Sequence, residues 1–466
     1  MRITLLAATL ALLVANPLQA AQPTRIDAKA LTQAANLRDA VLKDATAWQV
    51  TESLTTEVGP RLAGSEADAR AVEWAKAKFK ALGYDRVWTE PVTFQKWMRR
   101  GEAAQVLGAH AQPLRVAALG GSAGGTVEAE VVRFADLAAL EAAPDGSLAG
   151  KIAFVDYQMQ RRQDGGDYRT GGGIRGRGPS VAIRKGAAGF LMRSAGTDTS
   201  RAPHTGNTRY EKGLQPIPAA ALSTIDAAQL ARLLALGPVR VKLALDCGWD
   251  GEYTSQNVIG EITGSKRPRE VVLIGGHLDS WDYGTGAIDD AAGIGITMAV
   301  GALLKPLKPA RTIRVVAFAN EEQGLWGGRA YADRHASDVA NHVVAVESDF
   351  GAGRIYGFDA SARDLQPAAL AQVQQVLAPL GIEWMPGKGD PESDIGPMTQ
   401  RGMAWAWLGH DGTSYFDLHH NAEDTLDKID PKDLAQNTAA YAVFTWLAAQ
   451  AEGGFGSAPP AAGSGD

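Results

Sequence analysis

The stretch from Val271 to Gly295, VVLIGGHLDSWDYGTGAIDDAAGIG, limits the possible folds of this chain more than any other. It begins with a short apolar run rich in β-branched residues, which is typical of a buried strand. The run ends at His277 and Asp279, and residues two apart in an extended chain face the same side, so both side chains can enter one pocket. A glycine-rich loop then leads to an acidic pair that begins at Asp289. A strand end, an imidazole and a loop of carboxylates together indicate one half of a metal site.

Predicted strands and helices alternate through the second half of the chain. The predicted strands are 256–262, 271–276, 312–318, 342–347 and 404–408, and the predicted helices are 290–304, one after Gly324, 364–380, 393–401 and 432–449. Strands separated by helices favour a mostly parallel sheet covered on both faces, and such sheets bind ligands at the carboxyl ends of their strands. We therefore predict an α/β fold with a mostly parallel central sheet flanked by helices.

A strand-rich segment interrupts this pattern. It follows the glycine-rich stretch at Gly120 and contains short strand candidates separated by a polar loop, which we predict over 161–179. The α/β pattern resumes only after residue 246, so we predict an inserted domain. The full division is a signal peptide over 1–21, a first catalytic segment over 22–119, the inserted domain over 120–246, the main catalytic segment over 247–450 and a disordered tail over 451–466.

The N-terminus predicts export from the cell. A basic residue at Arg2 precedes an apolar run over 3–15, and small residues near Ala20 suit cleavage. The apolar run is shorter than the roughly 20 residues that a membrane anchor needs. We expect no later segment to span a bilayer, so the mature protein should be periplasmic or secreted, with no membrane partner. A formal net charge of -6 without a basic stripe gives no reason to expect nucleic acid as a partner.

Residue types that bind metal ions follow four of the predicted strands. These sets are His277 and Asp279 with Asp289 in the next loop, then Glu321 and Glu322, then Glu347 and Asp349, and finally His419 and His420. Taken singly, such a residue is more often a helix cap, a turn residue or part of a charged surface. Carboxylates that converge at one sheet edge, however, repel each other unless a cation neutralises them. The four sets together therefore predict a metal site at one edge of one sheet.

The ligand types indicate which metal is bound. Imidazole and carboxylate without thiolate suit zinc, with manganese or cobalt as substitutes. Two histidines and three carboxylates are too many for one catalytic zinc, which keeps three protein ligands and an open position. They fit two ions that share a bridging carboxylate and a water or hydroxide nucleophile.

The order of these motifs resembles that of peptidase family M28, and within it the plasma glutamate carboxypeptidase (carboxypeptidase Q) branch. The matching motifs are GPRLAGS, RKGAAGFLMRS, PHTGNT, TSQNVIGEI, GGHLDSWDYGTGAIDDAAG, NEEQGLWGG, AVESDFG and YFDLHHNAEDT. They cover nearly the whole mature chain. The resemblance implies a zinc-peptidase fold, an insert similar to a protease-associated domain that partly covers the cleft, and a homodimer.

The resemblance also implies five ligands for two zinc ions (Zn²⁺). They are His277 and Asp349 for one ion, Glu322 and His420 for the other, and Asp289 as the bridge between them. These assignments are carried over motif by motif. The family's ligand histidine stands four residues before an Asp-Thr pair, which selects His420 and leaves His419 as a candidate hydrogen-bond donor to the oxyanion.

Two further roles and one backbone feature follow from the same resemblance. Asp279 orients His277 from behind the metal site, and Glu321 is the general base. The peptide bond after the bridging aspartate is expected to be cis. The implied function is a metallo-exopeptidase that hydrolyses dipeptides or short peptides near a free terminus, through a metal-bridging water that Glu321 activates.

Several questions stay open at this level. The sequence does not distinguish an aminopeptidase from a dipeptidase or a carboxypeptidase, and Asp394 and the loop over 411–415 are only candidates for binding the substrate's ends. The alternative function is a non-catalytic, receptor-like binding module of the same fold, which the complete ligand set disfavours. A G-x-S-x-G pattern over 120–124 and a G-x-G-x-x-G pattern over 171–176 both lack the strand–turn–helix context that their chemistry requires.

Overall fold

The computed structural model describes residues 24–361, 367–391 and 393–455, and it contains a large main sheet with a small second sheet beside it. The strands of the main sheet are β1 (Arg86–Val106), β2 (Gln112–Leu114), β3 (Val116–Ala118), β4 (Gly125–Phe134), β5 (Ile152–Val155), β6 (Gly189–Arg193), β7 (Ala219–Leu222), β8 (Arg240–Ile262), β9 (Arg267–His277), β10 (Arg311–Phe318) and β11 (His342–Glu347). The second sheet is formed by β12 (Ile355–Ala360), β13 (Glu383–Trp384) and β14 (Ala406–His410). The predicted signal peptide lies outside the described residues.

The helices flank the main sheet, as predicted. They are α1 (Ala28–Val41), α2 (Thr46–Glu57), α3 (Glu66–Ala81), α4 (Leu137–Glu141), α5 (Tyr168–Arg184), α6 (Thr224–Leu236), α7 (Ala292–Leu304), α8 (Trp326–Arg334), α9 (Pro367–Leu377), α10 (Gly396–Thr399) and α11 (Pro431–Gln450). Alternate residues of β9 explain why both faces are covered. Val272 and Ile274 belong to the core that contains α7 and α11, whereas Val271 and Leu273 belong to the core that contains α8 and α10.

The main sheet is mixed, with parallel strands at the part that carries the predicted site. β11, β9 and β10 lie side by side and are parallel, and the antiparallel strands β8 and β1 extend the sheet beyond β10. The insert contributes β4, β5, β6 and β7, which are also parallel to each other. The central sheet flanked by helices is therefore confirmed, but its parallel strands form two separate sets, and antiparallel pairs through β8 join them.

The two long strands β1 and β8 run through both halves as one ribbon. They pair from Arg86 with Glu261 to Val106 with Val241. β8 also pairs with β10 near one end and with β4 near the other. The predicted boundary at 246/247 thus falls inside a continuous strand. The boundary at 119/120 also differs from the structure, because β3 already pairs with β7 of the insert.

Our prediction of a polar loop over 161–179 is wrong for its second half, because α5 begins at Tyr168. Its glycines suggested a loop, yet two of them allow the helix to pack closely. A Cβ on Gly171 would lie 2.5 Å from Met159 Sδ, and a Cβ on Gly178 would lie 2.5 Å from Phe190 Cζ. Burial against β6 therefore outweighs the weak helix propensity of this stretch.

Two other sequence-based expectations differ from the structure. The strand predicted over 404–408 forms β14 of the second sheet, and among the described residues an isolated bridge between Ala345 and Trp405 is its only pairing with β11. Residues 451–455, which we assigned to the disordered tail, are ordered against the body: Glu452 bridges to Arg25 and Phe455 is buried. The rest of that tail lies outside the described residues.

One described helical stretch, Ala287–Leu307, is long and apolar enough to cross a membrane. This differs from our expectation that no later segment has the required length. Within the fold, 89% of its most apolar window is buried, and α7, which forms most of it, packs against α2, α11 and β9. We therefore assign it as a core helix.

Candidate metal centre

Three of the four predicted strand ends meet at one edge of the main sheet. His277 at the end of β9 pairs with Phe318 at the end of β10, and Glu347 at the end of β11 pairs with Gly275. The residues that follow these strands therefore lie together, as parallel pairing requires. The fourth set, His419 and His420, does not share this sheet edge. It reaches the same place through the loop that follows β14.

One half of the site is built around His277. Its Nε2 atom lies 2.9 Å from Asp289 Oδ1 and 3.1 Å from Asp349 Oδ1. Its Nδ1 atom donates to the main-chain oxygen of Asp279 at 3.0 Å, so the hydrogen of a neutral ring stands on Nδ1 and Nε2 carries a lone pair. Ser393 donates a hydrogen bond to the other oxygen of Asp349.

The other half is built around His420. Its Nε2 atom lies 2.9 Å from Glu322 Oε2 and 3.2 Å from Asp289 Oδ2. Its Nδ1 atom donates to the main-chain oxygen of Thr205 at 3.3 Å. This ring therefore also presents the Nε2 lone pair to carboxylate oxygens.

Asp289 lies between the two halves and gives one carboxylate oxygen to each. Its position depends on an irregular helical turn over Ala287–Ala291 that precedes α7, and the peptide bond between Asp289 and Asp290 is cis, as the resemblance implies. The carboxylate of Asp424 accepts hydrogen bonds from the N–H groups of Ala287 and Ile288, both at 2.7 Å, and so holds this turn.

The donor set fits a bound cation. With hydrogen on Nδ1, each imidazole Nε2 and the carboxylate oxygens around it are all acceptors, and only a positive charge among them makes such an arrangement favourable. Asp289 Oδ2 and Glu322 Oε1 are buried and have no hydrogen-bond partner among the described residues. The side chains of His277, Asp289 and Asp349 form one group close enough to hold an ion, and Asp289, His419 and His420 form another.

The charges of the protein itself also favour a cation at this site. Burial lowers the pKa of His420, but the carboxylates of Glu322 and Asp289 outweigh it and raise this pKa to about 9. Burial raises the pKa of Asp289, but in the metal-free protein the protonated rings of His277 and His420 donate hydrogen bonds to it, outweigh burial and hold this pKa well below its usual value. The site therefore favours positive charge beside its carboxylates.

His419, the neighbour of His420, also lies near the carboxylate of Asp289. Its Nε2 atom is 3.5 Å from Asp289 Oδ2, and its ring stacks on that of His420 with centroids 3.4 Å apart. Of the two histidines, His420 is the one that contacts Glu322. His420 therefore lies closer to Asp289 than His419 does, and both rings line the cavity above them.

The sequence analysis assigned Asp279 to the orientation of His277, but its carboxylate also forms a hydrogen bond with the main chain of Glu321. Asp279 Oδ1 accepts a hydrogen bond from the N–H of Glu321 at 3.0 Å, and it is 3.7 Å from His277 Nδ1. The main-chain oxygen of Asp279 thus orients His277, while its carboxylate positions Glu321. Burial, then the charge of Asp349, raise the pKa of Glu321 well above its usual value.

A cavity of about 700 Å³ opens over these residues, and the insert forms one wall of it. The lining residues from the insert are Tyr168, Gly172, Arg175, Gly176, Arg177, Asn207 and Arg209. The other wall includes Asp289, Glu321, Glu322, Asp349 and Tyr415. Of the two regions considered for binding substrate ends, Tyr415 reaches the cavity, whereas Asp394 is buried beneath it and accepts a hydrogen bond from the N–H of Gly328.

Two contributions to the site were not predicted from the sequence. Arg61 of the GPRLAGS motif is fully buried and donates to the main-chain oxygens of Leu278, Thr285 and Gly286 in the loop between His277 and Asp289. The insert supplies Thr205, described above. An arginine inside an otherwise apolar and glycine-rich motif was the available signal for the first, but nothing local in the sequence indicates the second.

Comparisons with known proteins identify the family that this chain resembles. The model of peptidase family M28 matches residues 257–445. Carboxypeptidase Q of Bos taurus is 34% identical over 406 residues, which cover 86% of this chain and 84% of that protein, and the Homo sapiens enzyme is 32% identical over 405 residues with the same coverage.

Solved structures give the same result for the fold. A peptidase M28 precursor from Shewanella amazonensis is 46% identical, superposes with a TM-score of 0.88, and covers 90% of this chain and 96% of its own. A zinc aminopeptidase from Bacillus subtilis is 20% identical with a TM-score of 0.62, covering 85% of this chain and 94% of its own, and so shares the fold.

Proposed function

This chain belongs to peptidase family M28, in its carboxypeptidase Q-like branch, and we propose that it is a di-zinc exopeptidase acting on dipeptides and short peptides near a free terminus. One observation carries the proposal. The two oxygens of Asp289 face His277 and His420 separately, so a single buried carboxylate serves two ligand groups. His277 and Asp349 would hold one ion, Glu322 and His420 the other, and zinc suits this mixture of imidazole and carboxylate.

The side chains at the cavity have distinct tasks in this proposal. Two zinc ions, when bound, supply Lewis acidity toward the scissile carbonyl and lower the pKa of the attacking water. Glu321 takes a proton from that water and passes it to the leaving amine. Asp279 supports this role because its carboxylate accepts the Glu321 N–H and fixes where that side chain begins. The insert covers the cleft on one side, which supports a restriction to short substrates.

Metal content and one substitution test the proposal together. The purified protein should hold close to two zinc ions and lose peptidase activity to a chelator. Glu321→Gln should keep both ions and lower kcat by about 10²–10⁴-fold, because the metal ligands are untouched and the proton acceptor is lost. Glu423→Gln, on the exposed loop after His420, is the matched control and should retain activity. Full turnover by Glu321→Gln would contradict the assigned base.

Localisation and assembly complete the proposal. The N-terminal pattern supports export to the periplasm or the medium, and the related Shewanella protein is itself named a precursor. A homodimer stays a prediction of the family resemblance. Dipeptides with either end blocked, compared with free dipeptides, would establish which terminus the enzyme requires.

A further inference from the structure

A segment of the insert lies along the loop that carries His419 and His420. It follows β6 and runs from Thr197 to Thr205. The N–H of Thr197 donates to Phe416 O at 2.9 Å, and the N–H of Thr205 donates to His420 O at 3.0 Å. The two segments therefore share main-chain hydrogen bonds at both ends of their contact.

The main-chain oxygen of Thr205 favours the tautomer of His420 that carries hydrogen on Nδ1. It accepts from His420 Nδ1 at 3.3 Å, which leaves Nε2 free to face Glu322. Arg175 of α5 donates to the same oxygen at 3.3 Å. Thr205 itself is anchored, because its hydroxyl donates to Ala118 O at 2.7 Å. Such contacts to the second nitrogen of a metal-binding imidazole orient the ring and influence metal affinity.

His420 also needs support for its backbone. Its φ angle is +63°, in the left-handed region that costs a residue with a side chain about 1–2 kcal/mol. The hydrogen bond from Thr205 to His420 O holds this conformation from the side of the insert. The ring direction and the main-chain conformation of one ligand thus both depend on the same residue.

His204, which precedes Thr205, adds side-chain contacts between the insert and the loop that carries His419 and His420. It is 1% exposed, its Nδ1 atom lies 2.6 Å from His419 O, and its Nε2 atom lies 2.6 Å from Asp198 Oδ2. Its N–H donates to Ser194 Oγ at 2.8 Å. An imidazole fixed at both nitrogens is a rigid connection between the insert and the histidine loop.

We propose that His204 is a positioning residue for the metal centre, acting with Thr205 so that the insert sets the metal affinity of the Glu322–His420 half. The insert is then a structural part of the centre in addition to a cover over the cleft. This inference rests on the proposed function, because it assumes that metal binds between Glu322 and His420.

Zinc titration of the metal-free protein tests the inference without any activity measurement. The variants are His204→Ala, His204→Asn, whose amide keeps a donor near the Nδ1 position, and His335→Ala as the matched control. His335 is a buried histidine directly after α8, where its Nε2 atom lies 3.1 Å from Glu90 Oε1. His277→Ala and His420→Ala identify which of the two binding events belongs to which half.

The expected result is specific to one half of the centre. His204→Ala should weaken the event that His420→Ala abolishes by about 10–100-fold and leave the other event unchanged. His204→Asn should recover most of that affinity, and His335→Ala should change neither event. Wild-type affinity for both events in a folded His204→Ala protein, with only a lower Tm, would overturn the inference alone, and so would a folded His204→Asn protein that recovers none of the lost affinity. A wild-type protein that binds no zinc would overturn the proposed function and the inference with it.

Discussion

Arg61 shows how a single buried charge holds the loop on which half of the centre depends. Its guanidinium donates to Leu278 O at 2.6 Å, Thr285 O at 2.7 Å and Gly286 O at 2.9 Å. Burial lowers the pKa of Arg61, and the nearby carboxylates of Asp424 and Asp279 oppose that shift. The arginine therefore also offsets part of the negative charge beneath the site.

We expect Arg61→Met to lower the free energy of unfolding by about 3–5 kcal/mol, since it leaves several buried carbonyl oxygens unpaired and removes a compensating charge. Urea unfolding of the chelator-treated protein measures this effect without a contribution from metal binding. Arg232→Met, at an exposed position on α6, is the control and should stay within about 0.5 kcal/mol of wild type. A loss below about 1 kcal/mol for Arg61→Met would refute the role given to this residue.

The buried side chain of His342 should make the folding stability depend on pH, and this effect does not involve the metal centre. Burial lowers its pKa to about 4, and the neutral ring is satisfied because Nδ1 donates to Asp338 O at 3.1 Å and Tyr331 donates to Nε2 at 2.8 Å. The unfolded chain binds a proton here at about pH 6.5. Between pH 6.5 and pH 4 the unfolded state therefore holds more protons than the folded state, so stability falls as the pH falls.

His342→Asn removes this titrating group, so the unfolding free energy of the variant should depend less on pH than that of wild type. The difference in unfolding free energy between wild type and the variant should shrink by about 2 kcal/mol from pH 7 to pH 4.5. Urea unfolding across this range, again with chelator, provides the measurement. His110→Asn, at an exposed position, should follow the wild-type curve. Parallel curves for wild type and His342→Asn would show that burial of this histidine does not govern acid stability.

At the scale of elements, close packing of α7 against α2 brings the irregular turn with Asp289 into place. Gly295 allows this approach, since a Cβ there would lie 2.7 Å from Ala47 O and would also meet the side chain of Thr51. We expect Gly295→Ala to lower stability by about 1–3 kcal/mol because the helices must separate.

Gly176 of α5 supplies a matched control for that substitution. A Cβ on Gly176 would meet no atom within 4 Å, so Gly176→Ala should raise stability by about 0.5–1 kcal/mol through the lower entropy of the unfolded chain. Thermal unfolding of both variants gives the comparison. Equal effects of the two substitutions would mean that helix propensity, and not the contact between α2 and α7, decides the outcome.

The sequence predicts those parts of the site that depend on local pattern. Apolar periodicity located β9, β10 and β11, and parallel pairing then placed the residues after them at one edge. The helix α5 was missed because its glycines act through contacts with distant residues such as Phe190. The position of β14 was missed because periodicity identifies a strand without identifying its sheet. The contact of Thr205 with His420 joins residues 215 positions apart, and no local signal encodes it.

At the scale of the whole molecule, the insert and the catalytic part share a continuous framework. β8 pairs with β10 on one side of the ribbon and with β4 on the other, so one strand belongs to both parts. The side chain of Arg99 on β1 is only 5% exposed at their junction and forms an ion pair with Asp282 in the loop after β9. Breaking either part therefore exposes the other.

This continuity predicts that the two parts unfold together. Calorimetry of the zinc-loaded protein should show one transition whose calorimetric and van't Hoff enthalpies agree. Chelation should move that transition to lower temperature without splitting it, because zinc at 100 times its Kd contributes about 2.7 kcal/mol to the folded state alone. Two resolved transitions in the loaded protein, one of them insensitive to chelator, would show instead that the insert is an independent unit. In that case the hydrogen bonds between Thr205 and His420 could not couple it to the metal centre.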